Sequence, residues 1–495
     1  MVDKACFGEG KSIEFKRELP KKHERFLKDI IAFSNSAGGK VILGVEDITN
    51  TVYGIGDANP FKLSDDISNM ISDACVPQII PDITAQTLEG KTVLVIDVAP
   101  GRFRPYYLKS EGKETSAYIR INGTSRAADM RMLQELELEG QHLYYDSMQE
   151  IGMVYDEHSA KKLCASMKAV AVSACRTEEE KAEIQDITIE KLEDMGLLCM
   201  VGRDYAPTHA FNLMTVNRMK HAKIQCALFK GTVRDEFIDR KEFRGPIYEQ
   251  IEEAYQFILR HINMSAQIND VVRRDVYELP VRAVREAIVN AVTHRSYLDD
   301  SCIQVSIYDD RVEIMSPGRL YGGLDLEAAL SGKSKCRNTA VSEAFHYMKL
   351  IEAWGTGLGR IQNSCREYGL KAPAIEEFGD GFRVVFYRKV INEEQKVINA
   401  WKRYKGILRD TNITETYIAN IEAVYLQIGY DVFKQSDVME CFNCSKTKAR
   451  NIMSVMRQTG IIEKVMGKGP GRYRFTNKPE PDIEKVHTQI DYEDE

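Results

Sequence analysis

The segment that most constrains this chain is Arg285 to Arg295, taken together with the glycine-rich stretch from Gly355 to Gly359. The first segment has the pattern of a helix, and that helix places Glu286, Asn290 and His294 on one face, at positions i, i+4 and i+8. The second segment is typical of a turn that leads into a helix, where backbone N–H groups can bind phosphate oxygens. Together they predict a nucleotide pocket.

Bulk composition limits the classes of protein to consider. A chain of 495 residues predicts about three domains, and 43% hydrophobic residues suffice for buried cores. The net charge of −7 gives no overall basic surface, so nucleic acid would be bound by local patches. We find no apolar run of membrane-helix length and no signal core, and the eleven cysteines lack framework spacing. We therefore expect a cytoplasmic protein with reduced thiols and no membrane partner.

Alternating strand and helix patterns predict a multidomain α/β (α+β) protein. We expect a mixed α/β domain over residues 1–130, a helical connector over 131–210 and a second α/β domain over 211–390. A charged linker helix is expected over 391–415, a small α/β module over 416–476 and an acidic disordered tail over 477–495.

Three acids near the N-terminus can converge. Glu14 lies on a predicted strand, Asp47 lies at the end of the strand that follows one helix, and Glu9 can reach in from the preceding loop. Converging carboxylates need a cation such as Mg²⁺ or Mn²⁺, which also activates water for phosphodiester cleavage. Lys16 would stabilise the charged phosphorane. Spacing alone favours the alternative, in which these are separate surface acids.

Basic residues interleaved with tyrosines in the same region suggest nucleic-acid contacts. Arg104 and Arg120 are the principal candidates, because arginine neutralises phosphates, and Tyr106 and Tyr107 can stack on unpaired bases. A solvated charged face with half-buried tyrosines explains the pattern equally well.

The first 130 residues resemble the Schlafen AlbA-type domain. The resemblance rests on Gly-Lys-Ser-Ile-Glu-Phe-Lys (10–16), Phe-Ser-Asn-Ser-Ala-Gly-Gly (33–39), Val-Ile-Leu-Gly-Val-Glu-Asp (41–47), Arg-Pro-Tyr-Tyr (104–107) and Tyr-Ile-Arg-Ile-Asn-Gly (118–123). It implies nucleic-acid binding. In nuclease members of that family the metal ligands correspond to Glu9, Glu14 and Asp47, all acidic here, whereas many bacterial relatives are known only as DNA-binding regulators.

The middle domain is similar to a divergent, RecG-related branch of the GHKL ATPase fold, an α/β sandwich. The similarity rests on residues 237–243, 286–297, 312–318, 337–338 and 354–361. It implies ATP, or another nucleoside phosphate, bound with Mg²⁺. Glu286 would be the ATPase base and Asn290 the Mg²⁺ ligand. The other expected cofactor-binding residues are His294, Gly318, Lys333, Arg337, Gly355, Thr356, Gly357, Leu358 and Gly359.

Two features leave that pocket open to other interpretations. The general GHKL pattern has an Asp that reads the adenine amino group, but Ser316-Pro317-Gly318 stands at the corresponding place. Base identity and hydrolysis are therefore open. Taken singly, an amphipathic helix or a glycine turn would favour no pocket, and Lys333 and Arg337 also fit a mobile surface loop.

The 416–476 module resembles a winged helix-turn-helix. Ser445 is a good N-cap for its second helix, and residues 461–475 have the pattern of a hairpin wing. Nucleic-acid contacts are expected at the start of the recognition helix and on the wing. These residues are Lys446, Lys448, Arg450, Lys468 and Arg472.

These features predict a nucleotide-responsive, nucleic-acid-binding transcriptional regulator, with DNA favoured over RNA and a homo-oligomeric state expected. The alternative from a different class is a Schlafen-like, metal-dependent endoribonuclease in stress or phage defence, which rests on Glu9, Glu14 and Asp47. A third alternative is an assembly scaffold whose oligomers the nucleotide stabilises.

Overall fold

The computed structural model describes residues 10–121, 123–269, 272–352, 355–388, 401, 404–405, 408–409, 413–429, 431–442, 444–465 and 471–476, with backbone alone for 265–269 and 272–275. The chain forms two compact units, Met1–Lys389 and Val390–Glu495. The predicted boundaries near 130 and 210 fall inside the first unit and stay predictions. Glu9, Lys468, the tail 477–495 and most of the predicted linker helix lie outside the described residues.

The N-terminal part of the first unit is built around a four-stranded sheet. Its elements are β1 (Ile13–Lys16), α1 (His23–Ser34), β2 (Gly39–Leu43), α2 (Pro60–Ala74), β3 (Cys75–Val76), β4 (Asp82–Leu88), β5 (Lys91–Val98), β6 (Tyr107–Leu108), α3 (Lys113–Ser116), β7 (Tyr118–Ile121) and β8 (Thr124–Ala127). The strand order is β1-β2-β5-β4, with β1 and β2 parallel. Phe26, Ile30 and Phe33 recur at helical spacing on α1 and bury one face of that helix in the core with the sheet.

A mostly helical stretch follows. It contains α4 (Met130–Gln141), a 3-10 turn (Tyr145–Ser147), α5 (Glu157–Ala174), α6 (Glu178–Ala182), α7 (Ile189–Asp194), β9 (Leu198–Val201), β10 (Asp204–Pro207) and α8 (His209–Met214). Side-chain caps begin several of these helices, as at Asp129, Asp156 and Thr208. The antiparallel pair β9–β10 is an addition to the predicted helical connector.

The third part of this unit is a six-stranded sheet covered by helices. Its elements are β11 (Ile224–Phe229), β12 (Phe237–Phe243), α9 (Ile247–His261), β13 (Met264–Asn269), β14 (Val272–Tyr277), α10 (Val281–His294), β15 (Ile303–Ile307), β16 (Arg311–Pro317), α11 (Leu326–Leu330), α12 (Thr339–Tyr347), α13 (Gly357–Glu367), β17 (Ala374–Phe378) and β18 (Gly381–Tyr387). The strand order is β12-β11-β15-β16-β18-β17. Helix α10 packs against α9, α13 and β16, and its residues Val284, Ile288 and Val292 are buried in the core.

The second unit contains three helices and a short hairpin. These are α14 (Glu415–Ile428), α15 (Gln435–Phe442), α16 (Lys446–Gln458), β19 (Ile462–Lys464) and β20 (Tyr473–Phe475). Ser445 caps α16, because its hydroxyl accepts a hydrogen bond from the Lys448 N–H at 3.3 Å. Trp401, Tyr404 and Phe475 belong to its buried core.

The prediction of a multidomain α/β (α+β) chain is confirmed. Among the described residues, no helix is both long enough and apolar enough to cross a bilayer.

Candidate nucleotide site and nucleic-acid interfaces

Helix α10 presents its polar face to a partly open cavity of about 490 Å³. Glu286, Asn290 and His294 all line this cavity, as their spacing on the helix requires. The opposite face of α10 is apolar and buried in the core. The helix therefore cannot rotate to turn these three side chains away without exposing its apolar face.

The glycine turn meets α10 at the same cavity. A Cβ atom on Gly357 would overlap Oε1 of Glu286 and would lie 3.1 Å from Nδ2 of Asn290. Gly355 has a φ of +67°, and a Cβ there would overlap the carbonyl oxygen of Gly332. Gly355 is therefore favoured by its positive φ and by the nearby Gly332 backbone, whereas a side chain at Gly357 would displace the Glu286 carboxylate from the space between α10 and the start of α13.

The charge of Glu286 is set by opposing influences. Burial raises the pKa of Glu286 above its usual value, and Arg360, whose Nη2 lies 3.6 Å from Oε1, acts in the opposite direction. Arg360 also forms a 2.6 Å ion pair with Glu352 on the cavity wall. A raised pKa makes the carboxylate of Glu286 a stronger base, which can accept a proton from a water bound in the cavity.

His294 lies one turn further along α10. Its side chain is exposed on the side of the cavity, but protein surrounds the ring on its other sides. This burial, followed by the charge of Arg337, lowers the pKa of His294 to about 4. The ring is therefore neutral near pH 7 and offers one donor and one acceptor.

The remaining predicted cofactor residues divide into those on the cavity wall and those behind it. Gly318, Lys333, Gly355 and Leu358 line the cavity, together with Lys335. Thr356 and Gly359 flank the lining residues. Arg337 is buried behind Gly318, where its Nη2 donates to the Arg319 carbonyl oxygen at 2.9 Å.

Ser316 occupies the position where the GHKL pattern has its base-reading acid. Its side chain is buried, and its hydroxyl donates to the Ala291 carbonyl oxygen at 2.8 Å. The hydroxyl thus ties strand β16 to helix α10. Apolar side chains form the neighbouring wall of the cavity; they include Ile314, Ile361, Phe382 and Val384.

In the N-terminal domain Glu14 belongs to a compact ion-pair cluster. Lys16 bonds to Glu14 and lies 3.4 Å from Asp29, while Nη1 of Arg120 lies 3.0 Å from Glu14 and 3.7 Å from Asp29. Ser125 donates to Asp29 at 2.7 Å. Burial, followed by the charge of Glu14, raises the pKa of Asp29. Sequence analysis missed Asp29, although a carboxylate on the buried face of α1 was a usable signal.

The predicted metal site is not assembled among the described residues. Asp47 lies in an exposed turn beyond β2, and Glu9 is outside the described residues. Within the described ranges, no group of three or more His, Cys, Asp or Glu side chains is arranged to hold a metal ion. Both oxygens of Glu14 already contact cationic side chains, so its surroundings do not fit a metal ligand.

Two predicted nucleic-acid contacts require correction, because their guanidinium groups are buried. Arg104 bonds to Glu139 at 2.5 Å and donates to the carbonyl oxygens of Ser34 and Ser36. Arg120 bonds to Glu14 and to the Gly10 carbonyl oxygen, both at 3.0 Å. Both arginines hold the N-terminal domain together or join it to α4, and neither is presented to a polyanion. Tyr106 is also buried.

The predicted contacts in the second unit are accessible. Lys446, Lys448 and Arg450 are exposed at the start of α16, and Arg472 is exposed before β20. The apolar face of α16, which includes Ile452 and Met456, is buried in the core of the second unit. Three cationic groups therefore project from one end of a helix that is firmly packed on its other side.

Two family models match parts of the chain. Residues 9–129 match the model described as "Schlafen, AlbA_2". Residues 300–386 match a model described as "Putative ATP-dependent DNA helicase recG C-terminal". The chain thus carries an AlbA-type segment and an ATPase-type segment. The second match includes Gly318 and the 355–359 turn and begins after helix α10.

Two solved structures that match parts or most of this chain share little sequence with it. A protein of Corynebacterium diphtheriae is 19% identical, with a TM-score of 0.40, over 97% of this chain and 94% of that one. The N-terminal domain of a RecG-related protein from Nitrosomonas europaea is 22% identical, with a TM-score of 0.19, over 26% of this chain and 88% of that one. No curated protein matches the chain.

Proposed function

We propose that this chain is a nucleotide-responsive, nucleic-acid-binding regulator that acts on transcription. An ATP-class nucleotide occupies the cavity between α10 and α13, and its occupancy changes how the chain binds nucleic acid. The observation that carries the proposal is that Glu286 and Asn290 face the Gly357 backbone across one cavity.

The groups around the cavity are suited to distinct parts of a nucleotide. Backbone N–H groups at the start of α13 suit phosphate oxygens, because the N-terminal end of a helix carries partial positive charge. The Asn290 amide oxygen suits Mg²⁺, which would neutralise phosphate charge when bound. Glu286 is placed to orient or deprotonate a water. A cavity of about 490 Å³ lies within the usual range for small-molecule sites.

The base is the least specified part of the ligand. The apolar wall suits an aromatic ring, but Ser316 bonds to the Ala291 carbonyl and offers no carboxylate to an adenine amino group. We take ATP as the first nucleotide to test, because the 300–386 segment matches an ATPase-type model.

Nucleic-acid binding is proposed for the second unit. Lys446, Lys448 and Arg450 project from the N-terminal end of α16, the position from which recognition helices reach the major groove. We interpret α14–α16 and the β19–β20 hairpin as a winged helix, which favours DNA as the target. The endonuclease alternative receives less support, since Glu14 is already paired with Lys16 and Arg120.

The test measures DNA binding with and without ATP and Mg²⁺. We expect ATP to change the affinity of the full chain for a short random-sequence duplex by at least about fivefold. Asn290→Ala should lose this response. The matched control is Asn363→Ala, an exposed asparagine on α13 that should respond like wild type. An unaltered response in Asn290→Ala would contradict the proposal.

A parallel assay addresses cleavage. Labelled RNA and DNA are incubated with the chain and Mn²⁺. Cleavage that is lost in Glu14→Ala and kept in Glu286→Ala would favour the endonuclease over the regulator.

A further inference from the structure

One segment of the ATPase-type domain lies between two cavities. The second cavity, of about 670 Å³, separates this domain from the N-terminal domain. Gly318, Arg319, Leu320 and Leu324 line both this cavity and the nucleotide cavity. A ligand that moves the 318–324 segment on one side must therefore change the wall of the other cavity.

The 318–324 segment is bonded to the N-terminal domain. Nη1 of Arg319 donates to the Arg120 carbonyl oxygen on β7 at 2.6 Å. Gly323 packs so closely on that domain that a Cβ would lie 2.8 Å from the Ser36 carbonyl oxygen. The 318–324 segment thus contacts strand β7 through Arg120 and the loop after α1 through Ser36, and both residues line the second cavity.

Glu377 on β17 links the segment to the start of the chain. Its carboxylate bonds to Nη2 of Arg319 at 2.5 Å and accepts from the Leu320 N–H at 3.1 Å. It also forms a 3.1 Å ion pair with Lys11, just before β1. Glu377 does not itself line the nucleotide cavity, so a change at this position removes no direct contact with a nucleotide.

Hydrogen bonding at this junction is incomplete. Among the described residues, Nε of Arg120, Nε of Arg319, and Nε and Nη1 of Arg337 are buried without a hydrogen-bond partner. A buried donor without a partner costs free energy relative to one that is paired. An arrangement of the junction that pairs these donors would recover that free energy, which would offset part of the cost of a switch between two states.

We propose that the 318–324 segment transmits nucleotide occupancy to the N-terminal domain through Arg319, Glu377 and Lys11. This inference rests on the proposed function, because it needs a ligand in the nucleotide cavity. Occupancy displaces the cavity wall at Gly318 and Leu320, the bonds to Glu377 rearrange, and the change reaches Lys11 and the Arg120 carbonyl. The polar, ion-paired character of the interface suits such motion better than an apolar one would.

The test is hydrogen exchange on the full chain, with and without ATP and Mg²⁺. In wild type, ATP should change amide exchange at least about fivefold in peptides covering β1 and β7, which lie outside the nucleotide cavity. Glu377→Gln should keep its ATP affinity, measured by calorimetry, and lose that change. Lys11→Met should weaken it. Glu376→Gln is the matched control, because among the described residues Glu376 bonds to Arg383 alone, within its own domain, and should leave the change intact.

The outcomes separate the two proposals. A wild-type chain that binds ATP with no change at β1 or β7 overturns the transmission and leaves nucleotide binding standing. Transmission is also overturned if Glu377→Gln and Lys11→Met still show the full ATP-dependent change in amide exchange at β1 and β7. Circular dichroism checks that both variants are folded. A wild-type chain that binds no ATP overturns both.

Discussion

At the scale of single residues, the cavity depends on polar groups held on an otherwise apolar helix. Glu286 and Asn290 face Gly357 because the other sides of α10 are buried against α9 and β16. The arrangement leaves no room for a side chain at Gly357, whereas Gly359, two residues later on α13, has only the Leu330 carbonyl oxygen nearby, at 3.8 Å.

Substituting Gly357→Ala should weaken ATP binding by at least about tenfold, roughly 1.4 kcal/mol. The added methyl group would displace Glu286 and fill the space next to Asn290. Fluorescent-nucleotide titration measures the affinity, and circular dichroism checks the fold.

Gly359→Ala is the matched control for that change. Its methyl group meets ordinary van der Waals space, so ATP affinity should be nearly unchanged and the helix should be stabilised by about 0.5–1 kcal/mol. Equal loss of affinity in both variants would show that the effect comes from helix propensity and not from the cavity.

The positions of the candidate residues could be predicted where the information is local, whereas their proposed roles stay predictions. Helical period alone brings Glu286, Asn290 and His294 to one face, and all three line the cavity. The local sequence pattern does not reveal that Arg104 and Arg120 are buried, because their ion-pair partners are distant in sequence. Arg104 pairs with Glu139, and Arg120 pairs with Glu14. Such burial is a property of the assembled domain and not of the local pattern.

At the scale of elements, helix α12 receives its N-terminal cap from elsewhere in the chain. The side chain of Asn338, which precedes the helix, donates instead to the Thr293 and Arg295 carbonyl oxygens, both at 2.8 Å. The Asp146 carboxylate, from the 3-10 turn, accepts the Val341 N–H at 2.9 Å. The connector is thereby fixed to the ATPase-type domain.

Asp146 should make stability depend on pH. Burial raises the pKa of Asp146 from 3.8 to about 6, although the backbone N–H groups of Val341 and Ala340 oppose this. The folded state therefore disfavours the charged form, and stability is lost as pH rises from about 4 to about 6, by at most about 3 kcal/mol.

Thermal unfolding of wild type and Asp146→Asn tests this. The melting temperature of wild type should fall relative to that of the variant between about pH 4 and about pH 7. A difference that is constant with pH would mean that Asp146 ionises as freely in the folded state as in the unfolded one.

Helix α16 yields a prediction about salt. Replacing Lys446, Lys448 and Arg450 together by alanine should weaken DNA binding and reduce the slope of log affinity against log salt by about 3. All three are exposed, so the fold should persist. Arg457→Ala, on the last turn of the same helix, should leave the slope within about 1 of wild type. An unchanged slope in the triple variant would move the DNA contact away from α16.

Elements with strong periodicity could be predicted from the sequence. The sequence pattern predicts a strand over residues 224–229 and a helix over residues 445–459, and β11 and α16 lie close to these bounds. The β9–β10 hairpin was missed, since two four-residue strands within a helical stretch give almost no periodic signal.

At the scale of the whole molecule, the chain combines an AlbA-type segment, a cavity-bearing ATPase-type segment and a C-terminal unit with exposed basic residues on α16. The first two share an ion-paired boundary at Arg319 and Glu377 that the sequence could not reveal, because it joins residues far apart in the chain. Regulation by a nucleotide requires that a nucleotide bind in the cavity. The proposed change in DNA binding and the proposed transmission to the N-terminal domain both depend on that binding.

Calorimetric titration of ATP with Mg²⁺ into the full chain tests this event most directly. We expect one nucleotide bound per chain in wild type and in Asn363→Ala, and no detectable binding to Asn290→Ala, which should remain folded. Binding to Asn290→Ala with wild-type affinity, or no binding to wild type, would contradict this expectation.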